Sequence, residues 1–145
     1  MPTTHHLLVI DDEPFIGRIV RLEFAERTWQ VSVAADGDAG LAFLRAHPDV
    51  DLVLLDVNMP GRSGLEVLEE ARREPRLAQL PFIVLTAAGQ RSYADRAAEL
   101  GAVAFLTKPF SPRKLARRVA EILGDEAGDP APPARRGAAP GAEQA

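Results

Sequence analysis

The chain has 145 residues, 46% of them apolar, and a net charge of −4; that supports one substantial core and is too short for two ordinary domains. No basic stripe accompanies the acidic balance, which argues against direct nucleic-acid binding, and the lack of cysteine excludes a disulfide framework and a thiol nucleophile. No apolar run approaches membrane-spanning length, and MPTTHHLL has no basic segment ahead of a long apolar one, so no membrane contact and a cytoplasmic location are expected.

Taken in chain order, the first element is an apolar run, Leu7 to Ile10, that stops at Asp11-Asp12. After Glu13-Pro14, the residues Phe15, Ile16, Ile19, Val20 and Phe24 recur at three- and four-residue spacing and predict a helix with these on its inner face. A second run, Val31 to Ala34, leads to Asp36-Gly37-Asp38 and a helix carrying Leu41 and Leu44. The third run, Leu52 to Leu55, ends at Asp56 and is followed by the turn Val57-Asn58-Met59-Pro60-Gly61, after which a helix starts at Ser63 with Leu65 and Leu68 inward. The fourth run, Phe82 to Leu85, ends at Thr86; the weakly apolar helix after it, from about Ser92 to Leu100, has Tyr93, Ala97 and Leu100 as its expected buried edge. The last run, Ala104 to Leu106, precedes Lys108, and the fifth helix opens with Ser111 as cap and Pro112, carries Leu115, Val119, Ile122 and Leu123, and stops at Gly124. Strand and helix patterns that alternate in this way imply an α/β fold with a parallel sheet covered on both faces. Residues 125–145 are rich in Pro, Ala and Gly, have no large apolar residue, and read as a disordered tail or linker after a folded unit at 1–124.

The charges that terminate these runs belong together. Parallel strands bring their carboxyl ends to one sheet edge, so Asp11, Asp12, Asp56 and Lys108 are expected to gather there. Three close carboxylates raise one another's pKa unless a cation is supplied. Oxygen-only ligands favour Mg²⁺, with Mn²⁺ second, over zinc or copper. Asp56 is the candidate nucleophile, which on phosphorus would give an acyl phosphate. Lys108 would be the countercharge for the phosphoryl oxygens, and the bond to Pro109 is a candidate cis peptide. Thr86 offers a hydroxyl, and the small side chains of Ala87 and Ala88 leave backbone N–H groups open to a phosphate oxygen.

The stretches LVIDDEP, VAADG, LVLLDVNMPGRSGLEVL, PFIVLTA and GAVAFLTKPF, in this order across residues 7 to about 124, closely resemble the receiver domain of two-component response regulators. The resemblance implies a doubly wound, flavodoxin-like three-layer sandwich whose five-stranded parallel sheet has the order 2-1-3-4-5. It makes Asp56 the phosphoacceptor, Asp12 a direct Mg²⁺ ligand, Asp11 a ligand through water, and Asn58 a ligand through its backbone carbonyl. Lys108 would pair with the phosphoryl group, Thr86 would hydrogen-bond to it, Ala87 would contact it through its backbone, and Phe105 would occupy the position of an aromatic switch. Asn58 and Ala88 stand where family members vary and tune acyl-phosphate lifetime.

The function so implied is that of a stand-alone response regulator, bacterial by its Ala-, Arg-, Gly- and Pro-rich composition, that accepts a phosphoryl group from a sensor histidine kinase or histidine phosphotransfer protein. It would not be an enzyme beyond its own phosphorylation and dephosphorylation. The phosphodonor would dock at Ile16 and Ile19 with Pro60 nearby, and the output surface for a downstream protein, or for a phosphorylation-dependent homodimer, would be the fourth helix, last strand and fifth helix. An alternative is a receiver cut from a larger regulator with an output domain. An aspartyl-phosphate hydrolase of the dehalogenase kind is disfavoured, because Asn58 stands where that chemistry needs a second acid. A binding module with an idle site is disfavoured by the completeness of the constellation.

Several features have plainer readings. Phe105 is divided between core filler and switch. His5-His6 read as a solvated terminus, and Arg72-Arg73, Arg117-Arg118 and Arg135-Arg136 as solvated helix faces and a tail charge. Trp29 and Tyr93 suit a core edge or a surface contact.

Overall fold

Runs of branched apolar residues too short for a helix extend as strands, and parallel pairing under two layers of helices buries both of their faces. In a computed structural model that describes residues 5–59, 61–87 and 90–124, they form β1 (His6–Ile10), β2 (Gln30–Ala34), β3 (Leu52–Asp56), β4 (Phe82–Ala87) and β5 (Ala104–Lys108). All pairings are parallel, and the order is β2-β1-β3-β4-β5. Between them lie α1 (Pro14–Phe24), α2 (Gly37–Ala46), α3 (Gly64–Arg73), α4 (Arg91–Glu99) and, after β5, α5 (Pro112–Leu123). This is the doubly wound, flavodoxin-like arrangement expected. Pro60, Ala88 and the tail with Arg135-Arg136 lie outside the described residues.

Alternate strand residues feed two separate cores. Leu7, Val9, Leu52, Leu54, Ile83 and Leu85 pack with Ile16, Val20 and Phe24 of α1 and Leu115 and Val119 of α5. Leu8, Ile10, Val53, Leu55, Phe82 and Val84 pack with Leu41 and Leu44 of α2, Val67 and Leu68 of α3, and Ala97 of α4. Each such side chain, fully buried, contributes roughly 1.5–3 kcal/mol. Ala97 is the one buried residue of α4, so that helix is held by a narrow strip. Helix starts follow local chemistry. Asp36 accepts from the Ala39 N–H, Ser63 and Glu66 form a reciprocal capping box, and Ser111 caps α5 ahead of Pro112.

The rotation of α1 differs from expectation. Phe15 is 61% exposed and Ile16 only 7%. Ile16 is therefore a core residue and cannot form the docking surface assigned to it, and Phe15 does not face inward. Successive residues are about 100° apart around a helix, so both cannot share one face. Ile19 is half-buried, and with Phe15 and Leu22 (76% exposed) it forms an outward apolar stripe. Tyr93, expected at a buried edge, is exposed.

Two basic sites also depart from their plain readings. His6 is not on a solvated terminus: as the first residue of β1 it is buried, with Nδ1 2.8 Å from Asp49 Oδ2 and Nε2 2.8 Å from Ser32 Oγ. Arg72 is not on a solvated face either. Its guanidinium lies 5.2 Å from the Phe82 ring centroid. It donates to the carbonyls of Leu100 (2.9 Å), Gly101 (3.1 Å), Leu77 (3.3 Å), Ala78 (3.0 Å) and Leu80 (2.9 Å). Those carbonyls end α4 and line the segment before β4, so a single planar fork satisfies backbone acceptors of two connections. Arg72→Ala should lower unfolding free energy by about 2–4 kcal/mol in urea titration, with Arg72→Lys recovering less than half, because an ammonium cannot span the carbonyls.

Candidate functional site

Strand parity carries the charges to one place. Leu7 and Val9 face the α1/α5 core, and Asp11 follows at the next position of that face; Asp56 follows Leu52 and Leu54, and Lys108 follows Ala104 and Leu106, in the same way. The register pairs Asp56 with Leu85 and Ala87 with Lys108, so β4 and β5 end level with each other, two residues beyond the end of β3. Lys108 Nζ then lies 3.1 Å from Asp11 Oδ2, 3.4 Å from Asp56 Oδ2 and 2.8 Å from Glu13 Oε1. The Lys108–Pro109 peptide is cis.

Asp11, Asp12 and Asp56 each present an oxygen, all within 4.8 Å of one another. Asp11 and Asp56 are buried, 2% and 3% exposed, while Asp12 opens to solvent. With Glu13, four carboxylates face one ammonium, an imbalance that a hard divalent cation would relieve. Asp11 supplies a further sign of fit: its buried Oδ2 is met by Lys108 Nζ at 3.1 Å in an ion pair outside good hydrogen-bond geometry, and its Oδ1 accepts the Glu13 N–H at 2.9 Å. The donor set is all oxygen, as Mg²⁺ or Mn²⁺ prefers.

Electrostatics set the two central groups apart. Burial first, and the nearby Asp11 charge after it, hold the Asp56 carboxyl up at about 6 against the Asn58 N–H and Lys108, which lower it. For Lys108, burial opposes the charge, but the carboxylates of Glu13, Asp11 and Asp56 outweigh it and raise its pKa. Lys108 thus stays charged throughout the physiological range, whereas Asp56 without a cation is a weakened nucleophile.

The remaining residues frame this edge. The Asn58 N–H donates to Asp56 Oδ1 at 3.1 Å, folding the turn back on the carboxylate. Met59, next in that turn, is buried in the α2/α3 core and anchors it. Thr86 is buried, on the opposite strand face from Leu85, and its hydroxyl donates to the Leu106 carbonyl at 3.4 Å. Phe105 is 47% exposed on β5, which removes the core-filler reading. Ile16 and Ile19 lie on α1, the helix that follows Glu13, and Ile16 is turned into the core.

Three residues of the site escaped the sequence reading. Glu13 stood in the quoted LVIDDEP stretch with no role, yet it pairs with Lys108. Gln90 lacked any motif; its Oε1 accepts the Ala87 N–H at 3.1 Å and Asn58 Nδ2 at 2.6 Å. Gly64 lets α3 start against the end of β3: a Cβ there would lie 2.3 Å from the Asp56 carbonyl oxygen and 2.7 Å from Val57 Cα. Its presence inside the GRSGLEVL stretch was the available signal.

With this geometry established, likeness to known proteins adds identity. The response regulator receiver domain model matches residues 7–120. The chain is 39% identical over 119 residues to the probable transcriptional regulator ycf27 of Cyanidium caldarium, covering 82% of this chain and 46% of that protein. It is 34% identical over 117 residues to the phosphate regulon transcriptional regulatory protein PhoB of Escherichia coli, covering 81% of this chain and 51% of PhoB. The chain therefore spans about half the length of these curated relatives. Among solved structures, the chemotaxis protein CheY4 of Vibrio cholerae superposes with a TM-score of 0.76 at 27% identity, over 83% of this chain and 99% of that one. The family match starts in β1 and ends in α5, taking in every strand of the sheet and the carboxylate edge it builds, and the chain belongs to the response regulator receiver domain family.

Proposed function

We propose that this chain receives a phosphoryl group on Asp56 from a phosphohistidine of a histidine kinase or phosphotransfer protein, within a two-component relay. One observation carries the reading: Asp56 is buried at the end of β3, 3.4 Å from Lys108, with Asp11 and Asp12 oxygens close by.

In the reaction, an Asp56 carboxylate oxygen attacks phosphorus in line. The new O–P bond forms as the P–N bond to the donor imidazole breaks, and the imidazole, already protonated on its other ring nitrogen, leaves as the neutral ring with the P–N electron pair. Lys108 neutralises charge on the phosphoryl oxygens, and the Ala87 N–H and Thr86 hydroxyl donate to them. Receiver domains generally use Mg²⁺; Asp12, Asp56 and the Asn58 carbonyl would hold it directly and Asp11 through water, and the ion would offset the carboxylate charge while the phosphoryl group arrives. Drawing the Thr86 hydroxyl off the Leu106 carbonyl leaves space for Phe105 to turn inward, which shifts the face built by α4, β5 and α5. That face is the output surface. The chemistry ends with the chain's own phosphorylation and dephosphorylation. The outward stripe of Phe15, Ile19 and Leu22 on α1 is the surface offered to the phosphodonor.

Intact mass after incubation with phosphoramidate should show one phosphoryl adduct that needs both Mg²⁺ and Asp56; an equal adduct on Asp56→Asn would sink the assignment. Leu22→Glu should slow transfer from the partner kinase about tenfold or more while uptake from phosphoramidate stays near wild type. Unchanged transfer from the kinase would remove α1 as the docking helix.

Stability against pH tests the electrostatics separately. Without a cation, the raised Asp56 carboxyl costs nothing below its ordinary value of 3.8, where folded and unfolded forms are both protonated. The cost grows as pH rises and is complete above about 6. Asp56→Asn should therefore stabilise the metal-free protein at pH 7–8, by at most about 3 kcal/mol, with no gain near pH 3.5. Thermal melts across this range check it, and added Mg²⁺ should raise the midpoint of the wild type more than that of the variant.

A further inference from the structure

The donors expected to meet a phosphoryl group already have an acceptor in the resting protein. Gln90 Oε1 accepts the Ala87 N–H at 3.1 Å and the Asn58 side-chain amide at 2.6 Å, while Gln90 Nε2 donates to Asn58 Oδ1 at 3.4 Å. Asn58 in turn donates its backbone N–H to Asp56 Oδ1. One neutral oxygen thus ties the turn after β3 to the end of β4, across the edge where Asp56 and Lys108 meet. Although Gln90 precedes the first residue of α4, its side chain makes no capping bond to that helix. Its amide is committed to the site.

Resting on the phosphoacceptor reading above, we propose that Gln90 is a positioning residue that latches the unphosphorylated site: its side-chain oxygen holds the Ala87 N–H that a phosphoryl oxygen must take, so the latch opens before or during transfer. A single N–H serves one strong acceptor at a time. A neutral amide oxygen is a better partner than mobile water on a fixed backbone, and a weaker one than a charged phosphoryl oxygen, whose hydrogen bonds are about twice as strong. Gln90 therefore keeps the donor aimed while the site is idle and yields when the anion arrives. The latch also holds Asn58, the residue whose backbone carbonyl is proposed for the cation, and so couples uptake to the placement of that turn.

The test compares wild type, Gln90→Ala and Gln90→Glu by two readouts. In the unphosphorylated protein, fast amide-exchange NMR should show the Ala87 N–H exchanging about tenfold faster in Gln90→Ala and no faster than wild type in Gln90→Glu, which keeps an acceptor at that place. Initial uptake from phosphoramidate with Mg²⁺ should rise about fivefold to tenfold in Gln90→Ala and fall by a similar factor in Gln90→Glu, whose charge binds the donor harder and repels the phosphoryl group. Opposite signs for two variants at a half-buried position are not what a merely structural residue would give. Equal slowing in both variants, or Ala87 exchange unmoved by Gln90→Ala, overturns the latch while phosphoacceptance by Asp56 stands. A wild type that takes up no phosphoryl group overturns the parent reading, and the uptake half of this proposal with it.

Discussion

Crowding of like charge at one sheet edge is the constraint on which the rest depends. Asp11 and Asp56 are buried beside each other with Asp12 close by, and the single ammonium of Lys108 reaches both buried carboxylates and Glu13. Such an arrangement is costly in isolation, since burial and mutual repulsion both favour the neutral acid. The raised Asp56 carboxyl is the measure of that cost. A site under this tension is stabilised by whatever brings positive charge and destabilised by whatever removes it, which suits the phosphoryl-accepting role proposed for it.

The remainder of the molecule can be understood as support for that edge. Two cores, one on each side of the sheet, fix the level at which β1, β3, β4 and β5 end, so the charged residues have no freedom to spread apart. On one side, Gly64 lets α3 close against the backbone of Asp56 and Val57, and buried Met59 pins the turn that follows. The same side is looser at α4, which buries only Ala97, and on the edge strand β5 Phe105 stands out. The difference bears on the proposed function, because a response passed from Asp56 to a surface would travel most easily through the element with fewest buried contacts. Arg72 limits that looseness by fastening the end of α4 to the segment before β4 through backbone carbonyls.

Expectation failed where a side chain's surroundings come from distant parts of the chain. His5-His6 looked like a terminus until pairing of β1 with β2 and the approach of Asp49 enclosed His6. Arg72-Arg73 looked like one solvated doublet, yet two adjacent helix positions point about 100° apart, and only Arg72 turns toward the α4 end. The same rotation separates exposed Phe15 from buried Ile16. Spacing identified an amphipathic α1 but not the angle at which it sits on the sheet.

By itself the sequence determined the alternation of strands and helices, the caps that start α2, α3 and α5, and the residue types that end each strand, because these follow from periods of two and 3.6 and from contacts within a few residues. It also determined that Asp11, Asp12, Asp56 and Lys108 share an edge, since parallel strands leave no other place for their carboxyl ends. The tertiary structure alone decided how that edge is wired. Glu13 meets Lys108 across 95 positions and Gln90 meets Asn58 across 32. Such pairings depend on the relative height of strands and the rotation of helices over the sheet, which arise only when both cores pack together.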